Sequence, residues 1–150
     1  MTEPVVIGLG GNVGTEAEIV DRFRRAREAL GSLGPVRSAP LYRSAPVGVT
    51  SQPPFLNSAV SLRAPDLQPA ELIATVLELE RLLGRDRDRE ALWGPRRIDL
   101  DILVWGTRAL RTEELEVPHP RLAERRFALA PLADLDPALE IPGHGPVSAL

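Results

Sequence analysis

The sequence predicts an α+β fold, and three observations predict it. Short runs of β-forming residues, apolar or alternating, surround two long stretches with helical periodicity. Strands and helices intermix without a regularly repeated strand–helix–strand unit. No linker or internal repeat divides the 150 residues, a length that suits one domain with its own core.

The elements follow in order. "PVVIGLG" reads as a buried first strand. "TEAEIVDRFRRAREALGSLG" predicts a helix. Thr15 and Glu18 have capping-box spacing, Ile19, Val20, Phe23, Ala26 and Leu30 form one stripe, and Gly31 or Gly34 stops it. "VRSAPLYRS" is a second strand made irregular by its proline, and "APVGVTSQPP" is a loop. "FLNSAVSLRA" alternates as a third strand, with Phe55, Asn57, Ala59 and Ser61 on one face and Leu56, Ser58, Val60 and Leu62 on the other. "LQPAELIATVLELERLLG" is a second helix, with Pro69 in its first turn and Gly84 at its end. "RDRDREALWGPRR" is a charged loop, "IDLDILVWG" a fourth strand, and "RALRTEELEVP" a short strand or hairpin. "RLAERRFALAPLADL" predicts one or two short helices broken at Pro131, and the tail reads as mostly coil. Together these predict a single-domain, ferredoxin-like αβ sandwich over residues 1–150, a mostly antiparallel sheet with helices packed on it.

Composition removes several function classes. A formal net charge of -3 argues against broad electrostatic binding of nucleic acid or anionic membrane. With no cysteine, disulfides, thiolate metal sites and Cys nucleophiles are excluded. No apolar run is long enough to span a bilayer, and "MTEPVVIGLGG" carries an acid where a signal peptide has basic residues, so a cytoplasmic protein is expected. All 18 basic residues are arginine. A P-loop or Schiff-base lysine is therefore impossible, and phosphate would be held by Arg, His, backbone N–H or metal.

Chemistry concentrates in "WGPRRIDLDILVWG". Side chains two apart in a strand point the same way. Asp99 and Asp101 therefore share a face with Leu103 and Trp105, opposite Ile98, Leu100, Ile102 and Val104. Two parallel carboxylates repel unless a cation or proton lies between them. The pair reads either as a platform for one or two Mg²⁺ ions or as an outward face paired with arginines. Arg85, Arg87, Arg89, Arg96 and Arg97 precede it, interleaved with Asp86, Asp88 and Glu90. They form either a solvated loop or a cationic arm of the kind phosphoryl transfer uses. Trp93 is a core anchor or part of that arm.

The remaining candidates are single residues. "GLGGNVG" is not a dinucleotide fingerprint, because Val13 stands where the third glycine is required, and it reads instead as a tight turn allowing close backbone approach. Glu80 interrupts the apolar stripe of Val76, Leu77 and Leu83. It is either a buried carboxylate orienting an arginine or an edge residue. His119, between two prolines, is a phosphate donor or a turn residue. Phe55 and Asn57 on one strand face suit a flat, hydrogen-bonding ligand, with core packing the alternative for Phe55 and for Phe127.

Taken together, "GLGGNVG", "YRSAPVG", "QPPFLNSAV", "LGRDR", "WGPRRIDLDIL" and "VPHPRLAERRFAL" resemble, in order and over nearly the whole chain, the 6-hydroxymethyl-7,8-dihydropterin pyrophosphokinase family of folate biosynthesis. The resemblance implies one pyrophosphokinase domain of ferredoxin-like fold that transfers pyrophosphate from ATP to the pterin hydroxymethyl group and releases AMP. It implies two Mg²⁺ ions on Asp99 and Asp101, with Arg85 and Arg96 catalytic. It places Glu80, Arg85, Arg87, Arg96, Ile102, His119 and Arg125 with ATP. It places Gly10, Ser44, Ala45, Val47, Phe55, Asn57, Trp93 and Phe127 with the pterin. Phe55 stands where some members have Tyr, which keeps stacking and loses a hydroxyl. ATP and the hydroxymethyl pterin are the expected partners of an expected monomer. The alternatives are a Mg-dependent nucleotidyl- or phosphotransferase on another heterocycle, or a non-catalytic ferredoxin-like binding module.

Overall fold

The computed structural model describes residues 4–44, 52–64, 66–85 and 95–150, the side chains at 124 and 126 apart. Its centre is strand β1 (Val5–Gly11). β1 pairs antiparallel with β4 (Phe55–Leu62) on one side and with β5 (Asp99–Trp105) on the other. The stretch 36–44 forms two short strands, β2 (Val36–Ser38) and β3 (Tyr42–Ser44), both antiparallel to β4. Pro40 lies between them, and having no N–H it cannot continue the ladder. The sheet order is β2–β4–β1–β5, which leaves β5 at an edge.

Helices cover both faces. α1 (Glu16–Gly31) and α2 (Pro69–Leu82) bury Ile19, Phe23, Leu30, Leu72 and Val76 against Ile7, Leu9, Leu62 and Leu100. α3 (Arg126–Leu135) covers the opposite face, with Leu129 and Leu132 among Val6, Ala59 and Leu103. The expected caps are present. The Thr15 hydroxyl accepts from the Glu18 N–H at 3.2 Å, and the Glu18 carboxylate accepts from the Thr15 N–H at 3.0 Å. α1 ends at Gly31, the first of the two expected stops. α2 begins at Pro69, and Gly84, at φ +98°, follows its end.

Three expectations are corrected. Val6 pairs with Val104, but Ile7 pairs with Ile102, so Leu103 is an extra residue on β5. One inserted residue reverses the two-residue alternation beyond it. Asp99, Asp101 and Leu103 keep their common face. Val104 joins Leu103 in the α3-side core, and Trp105 turns into the α1/α2-side core, away from the aspartates. Second, α3 runs unbroken through Pro131, and the break falls at Arg125, whose extended backbone separates α3 from a 3₁₀ turn at Leu122–Glu124. An interior proline costs roughly 3 kcal/mol. Burying Leu129, Leu132 and Leu135 returns about 1.5–3 kcal/mol each, which outweighs it. Third, the tail, read as mostly coil, carries short regular elements. β8 (Glu140–Ile141) and β9 (Gly145–Pro146) form a hairpin that inserts Ile141 into the α3-side core. The stretch 108–118 forms a hairpin as well, β6 (Leu110–Arg111) with β7 (Glu116–Val117).

Gly84 carries a testable consequence. A Cβ there would face left-handed strain and stand 2.5 Å from Arg97 Nε. Gly84→Ala should lower unfolding free energy by about 1–2 kcal/mol, read as a shifted urea midpoint at unchanged slope. An unchanged midpoint would contradict the packing described.

Candidate active site

The site begins with an edge-strand problem. Among the described residues, no strand pairs with the outer edge of β5 to receive its N–H groups. Glu80, on α2 and 1% exposed, meets one of them: its Oε2 accepts from the Leu100 N–H at 2.9 Å. The same oxygen accepts from Arg85 Nη1 at 2.7 Å, and that nitrogen also donates to Asp99 Oδ1 at 2.8 Å. The Arg85 side chain is 6% exposed, and its backbone N–H donates to the Glu80 carbonyl at 2.9 Å. A buried guanidinium between two carboxylates is a charge-assisted relay. Of the two readings of Glu80, the structure selects the buried carboxylate that orients an arginine.

Asp99 and Asp101 lie on the sheet face shared with Gly8 and Gly10. In register, Gly10 stands between Asn57 and Asp99, and Gly8 between Ala59 and Asp101. A Cβ on Gly10 would be 3.6 Å from Asn57 Oδ1 and 3.9 Å from Asp99 Cβ. The glycine keeps this floor open. Asn57, 5% exposed, donates from Nδ2 to the Ser44 hydroxyl at 2.8 Å. Phe55 lies two residues before it on the same face and is half-buried. From the other side, Arg125 Nη1 comes within 3.8 Å of Asp101 Oδ2, and its guanidinium lies 5.7 Å from the Phe127 ring. The structure therefore brings Gly10, Ser44, Asn57, Asp99, Asp101 and Arg125 to one side of the sheet. Ala45, Val47, Arg87 and Trp93, like Arg89, lie outside the described residues.

Around the edge of β5 opens a cleft of about 340 Å³, between α2 and the β6–β7 hairpin. Ile73, Val76, Leu77, Ile102 and Leu115 supply apolar walls, and Asp101, Glu80 and His119 lie at its polar parts. Ile102 was expected beside ATP and lines this cleft. Ile73, Leu77 and Leu115 were not singled out from the sequence. Leu77, expected in the apolar stripe of α2, is 47% exposed, and no sequence feature set it apart from a core residue. Burial, and next the charge of Arg125, lower the proton affinity of His119. Its Nδ1 accepts from the Arg121 N–H at 3.2 Å, so the neutral ring carries its proton on Nε2.

Two further residues escaped the sequence reading. Asn12, 1% exposed, binds both sides of Arg96. Its N–H donates to the Arg96 carbonyl at 2.9 Å, and its Oδ1 accepts from the Arg96 N–H at 2.8 Å. Arg22, buried on α1, donates to the Val13 and Arg97 carbonyls at 2.7 and 2.9 Å. The glycine-rich turn packs against this segment, and a Cβ on Gly11 would stand 2.9 Å from the Arg97 carbonyl oxygen. Close backbone approach was expected of the turn, and the neighbour is 96–97. The Arg96 guanidinium itself donates to the Pro95 carbonyl at 3.3 Å.

Burial, then the charge of Asp99, push the Asp101 carboxyl up to about 7. The two side chains remain about one-third open, at 36% for Asp99 and 35% for Asp101. Like-charged oxygen donors that resist joint ionisation and stay accessible fit a hard divalent cation. Among the described residues no third acid, His or Cys joins them as a ligand group. The rest of a shell would come from phosphate oxygens and water.

With this geometry in place, comparison with known proteins is decisive for the family. Residues 6–137 match the family model described as 7,8-dihydro-6-hydroxymethylpterin-pyrophosphokinase (HPPK). The chain belongs to the HPPK family. It is 40% identical over 141 residues to a Bacillus subtilis protein named 2-amino-4-hydroxy-6-hydroxymethyldihydropteridine pyrophosphokinase, covering 90% of this chain and 79% of that one. A Pseudomonas aeruginosa protein of the same name is 39% identical, covering 95% of this chain and 86% of that one. A mitochondrial folate synthesis bifunctional protein of Pisum sativum is 45% identical over 89% of this chain, which spans only 25% of its length. A Plasmodium falciparum HPPK-DHPS crystal structure with pteroate shares the fold, with a TM-score of 0.73 at 13% identity, over 99% of this chain and 42% of that one.

Two measurements test this geometry. Because the folded chain holds the Asp101 proton where the unfolded chain has released it, this group's contribution to stability is present at low pH and lost as pH rises from about 4 to about 7. In chelator-treated protein, Asp101→Asn should therefore be more stable than wild type at pH 8, and the difference should close by pH 4. A difference that does not vary with pH would contradict it. Glu80→Leu should destabilise by about 3–5 kcal/mol, since it leaves the buried Arg85 with Asp99 alone and the Leu100 N–H without its acceptor. Glu80→Gln should destabilise less, because its amide oxygen still accepts from the Leu100 N–H.

Proposed function

We propose that this chain transfers pyrophosphate from ATP to the hydroxymethyl group of 6-hydroxymethyl-7,8-dihydropterin, releasing AMP, in folate biosynthesis. The observation that carries this reading is the position of the carboxylate pair. Asp101 lines the apolar cleft at the edge of β5, while Asp99 borders the glycine-floored recess of Gly10 and Asn57. A nucleotide base fits the walls of Ile73, Leu77, Ile102 and Leu115. A flat heterocycle fits the recess, where the Asn57 amide reads its edge and Phe55 and Phe127 offer aromatic faces. The two ligands then meet at the aspartates. The relatives named as pyrophosphokinases support this reading.

Asp99 and Asp101 would hold Mg²⁺, in two ions on the family pattern, and bound Mg²⁺ supplies charge neutralisation on the ATP phosphates. The hydroxymethyl oxygen attacks the β-phosphorus. A new O–P bond forms, the bond from the β-phosphorus to the AMP oxygen breaks, and the hydroxyl proton leaves to solvent. Arg85, fixed by Glu80, and Arg125, beside Asp101, bring positive charge to the transferring group. His119 Nε2–H donates to a phosphate oxygen, its neutral form held by burial. Arg96 approaches from the start of β5, and Ser44 stands beside Asn57 on the heterocycle side. On the family pattern Ala45, Val47 and Trp93 belong with the pterin and Arg87 with ATP. Holding two reactants in line supplies much of the rate, so no dedicated base is required.

We also propose that residues 1–150 act as one ferredoxin-like domain, monomeric and cytoplasmic. Two helical crossovers and the antiparallel order β2–β4–β1–β5 support that fold name. No described helix is long and apolar enough to cross a membrane. A phosphotransferase acting on another heterocycle would show Mg-ATP binding in calorimetry without pterin binding.

The direct test is AMP release from ATP with and without the hydroxymethyl pterin; no pterin-dependent AMP would reject the reading. Asp99→Ala and Asp101→Ala should each lower kcat by roughly two or more orders of magnitude with the fold intact. Arg96→Ala should damage turnover more than Arg97→Ala. Near-normal kcat in both aspartate variants, or equal effects of the two arginines, would count against these roles.

A further inference from the structure

The ladder of β1 to β5 runs out at Gly10 and its ladder to β4 at Gly11. Asn12, the next residue, has a side chain that continues them in both directions. Toward β5, its Oδ1 accepts from the Arg96 N–H at 2.8 Å, beside the backbone bond to the Arg96 carbonyl. Toward β4, its Nδ2 donates to Gln52 Oε1 at 2.9 Å and to the Pro53 carbonyl at 3.0 Å. One buried amide thus uses its acceptor on one segment and both its donors on the other. Residues 52–53 lead directly into Phe55 and Asn57. Residue 96 leads directly into Asp99 and Asp101.

We propose that Asn12 is a positioning residue that sets the heterocycle side of the site against the phosphate side. This rests on the reaction proposed above. In-line transfer needs its two reactants placed within a fraction of an ångström, and a misplacement of about 1 Å costs on the order of 100-fold. Asn12 is 1% exposed and its amide is fully engaged with protein, which leaves it no group for either reactant. Its effect therefore falls on turnover rather than on the binding of either substrate alone. The amide is specific to the task. Aspartate at this position keeps the acceptor for Arg96 but turns carboxylate oxygen toward two other acceptors, at Gln52 and Pro53. Alanine loses both arms.

The test compares wild type, Asn12→Asp and Asn12→Ala. The readouts are AMP release, affinity for a non-hydrolysable Mg-ATP analogue by calorimetry, and backbone amide hydrogen exchange. Asn12→Asp is expected to lower kcat by about 100-fold while Mg-ATP-analogue affinity and pterin KM stay within about threefold. Exchange should rise over 52–57 and stay protected at 96–98 in Asn12→Asp, and rise in both segments in Asn12→Ala. Two outcomes would overturn the proposal. One is kcat within threefold of wild type. The other is a kcat loss matched by equal losses of both affinities and restored by assay at lower temperature, which is the behaviour of a merely structural residue. If wild type releases no AMP, the proposed reaction fails; the exchange pattern still decides the coupling, and unchanged protection over 52–57 in Asn12→Asp would overturn it.

Discussion

The arrangement of the site depends on one buried contact, the Glu80 carboxylate that receives both the Leu100 N–H and Arg85. β5 is an edge strand, and it carries the two aspartates. Without an acceptor on its outer side, the strand would have a buried polar group unsatisfied and α2 would lose its registration on the sheet. Glu80 supplies that acceptor. Its charge then requires a cation, and Arg85 provides it while reaching Asp99. A requirement of strand pairing thus places a guanidinium at the carboxylate pair. The apolar cleft follows from the same geometry, because α2 docked along the edge of β5 leaves Ile73 and Leu77 facing Ile102 and Leu115.

The opposite side of the pair is set by what is missing. Gly10 has no side chain, so the face of β1 is open where Asn57 and Asp99 flank it, while Leu103 packs over Gly8. α3 closes part of this face with Leu129 and Leu132, and Arg125 and Phe127 stand at its start. The bulge at Leu103 separates the two uses of β5. Before it, the strand offers carboxylates to this face. After it, Leu103 and Val104 both join the α3-side core, and Trp105 anchors the other side.

Much of this was legible in the sequence because periodicity and caps are local. Thr15 with Glu18 announced the start of α1, Gly84 the end of α2, and the alternation of β4 placed Asn57 on its proper face. Asp99 and Asp101 could be assigned to one face from spacing alone. The bulge was not legible, since an inserted residue leaves no mark in a run as apolar as "ILVW" and becomes visible only when Val6 and Ile7 select their partners. Pro131 misled for the opposite reason. It is a strong local signal against a helix, and the burial of a leucine face overrode it. Asn12 looked like part of a turn, because its partners lie 40 or more residues away.

The sequence by itself determined the long strands and the first two helices, the mixing of strands with helices, and the residue types that can meet a phosphorylated ligand: carboxylates, arginines without lysine, and no thiol. These follow from local propensity, side-chain period and composition. Tertiary structure decided which partners particular residues take. Glu80 became the acceptor for an edge strand and an arginine, Trp105 left the face of the aspartates, and Asn12 became a joint between two strands. Each of those outcomes rests on a hydrogen bond or a pairing register between segments distant in the chain, and such contacts exist only once the sheet is assembled.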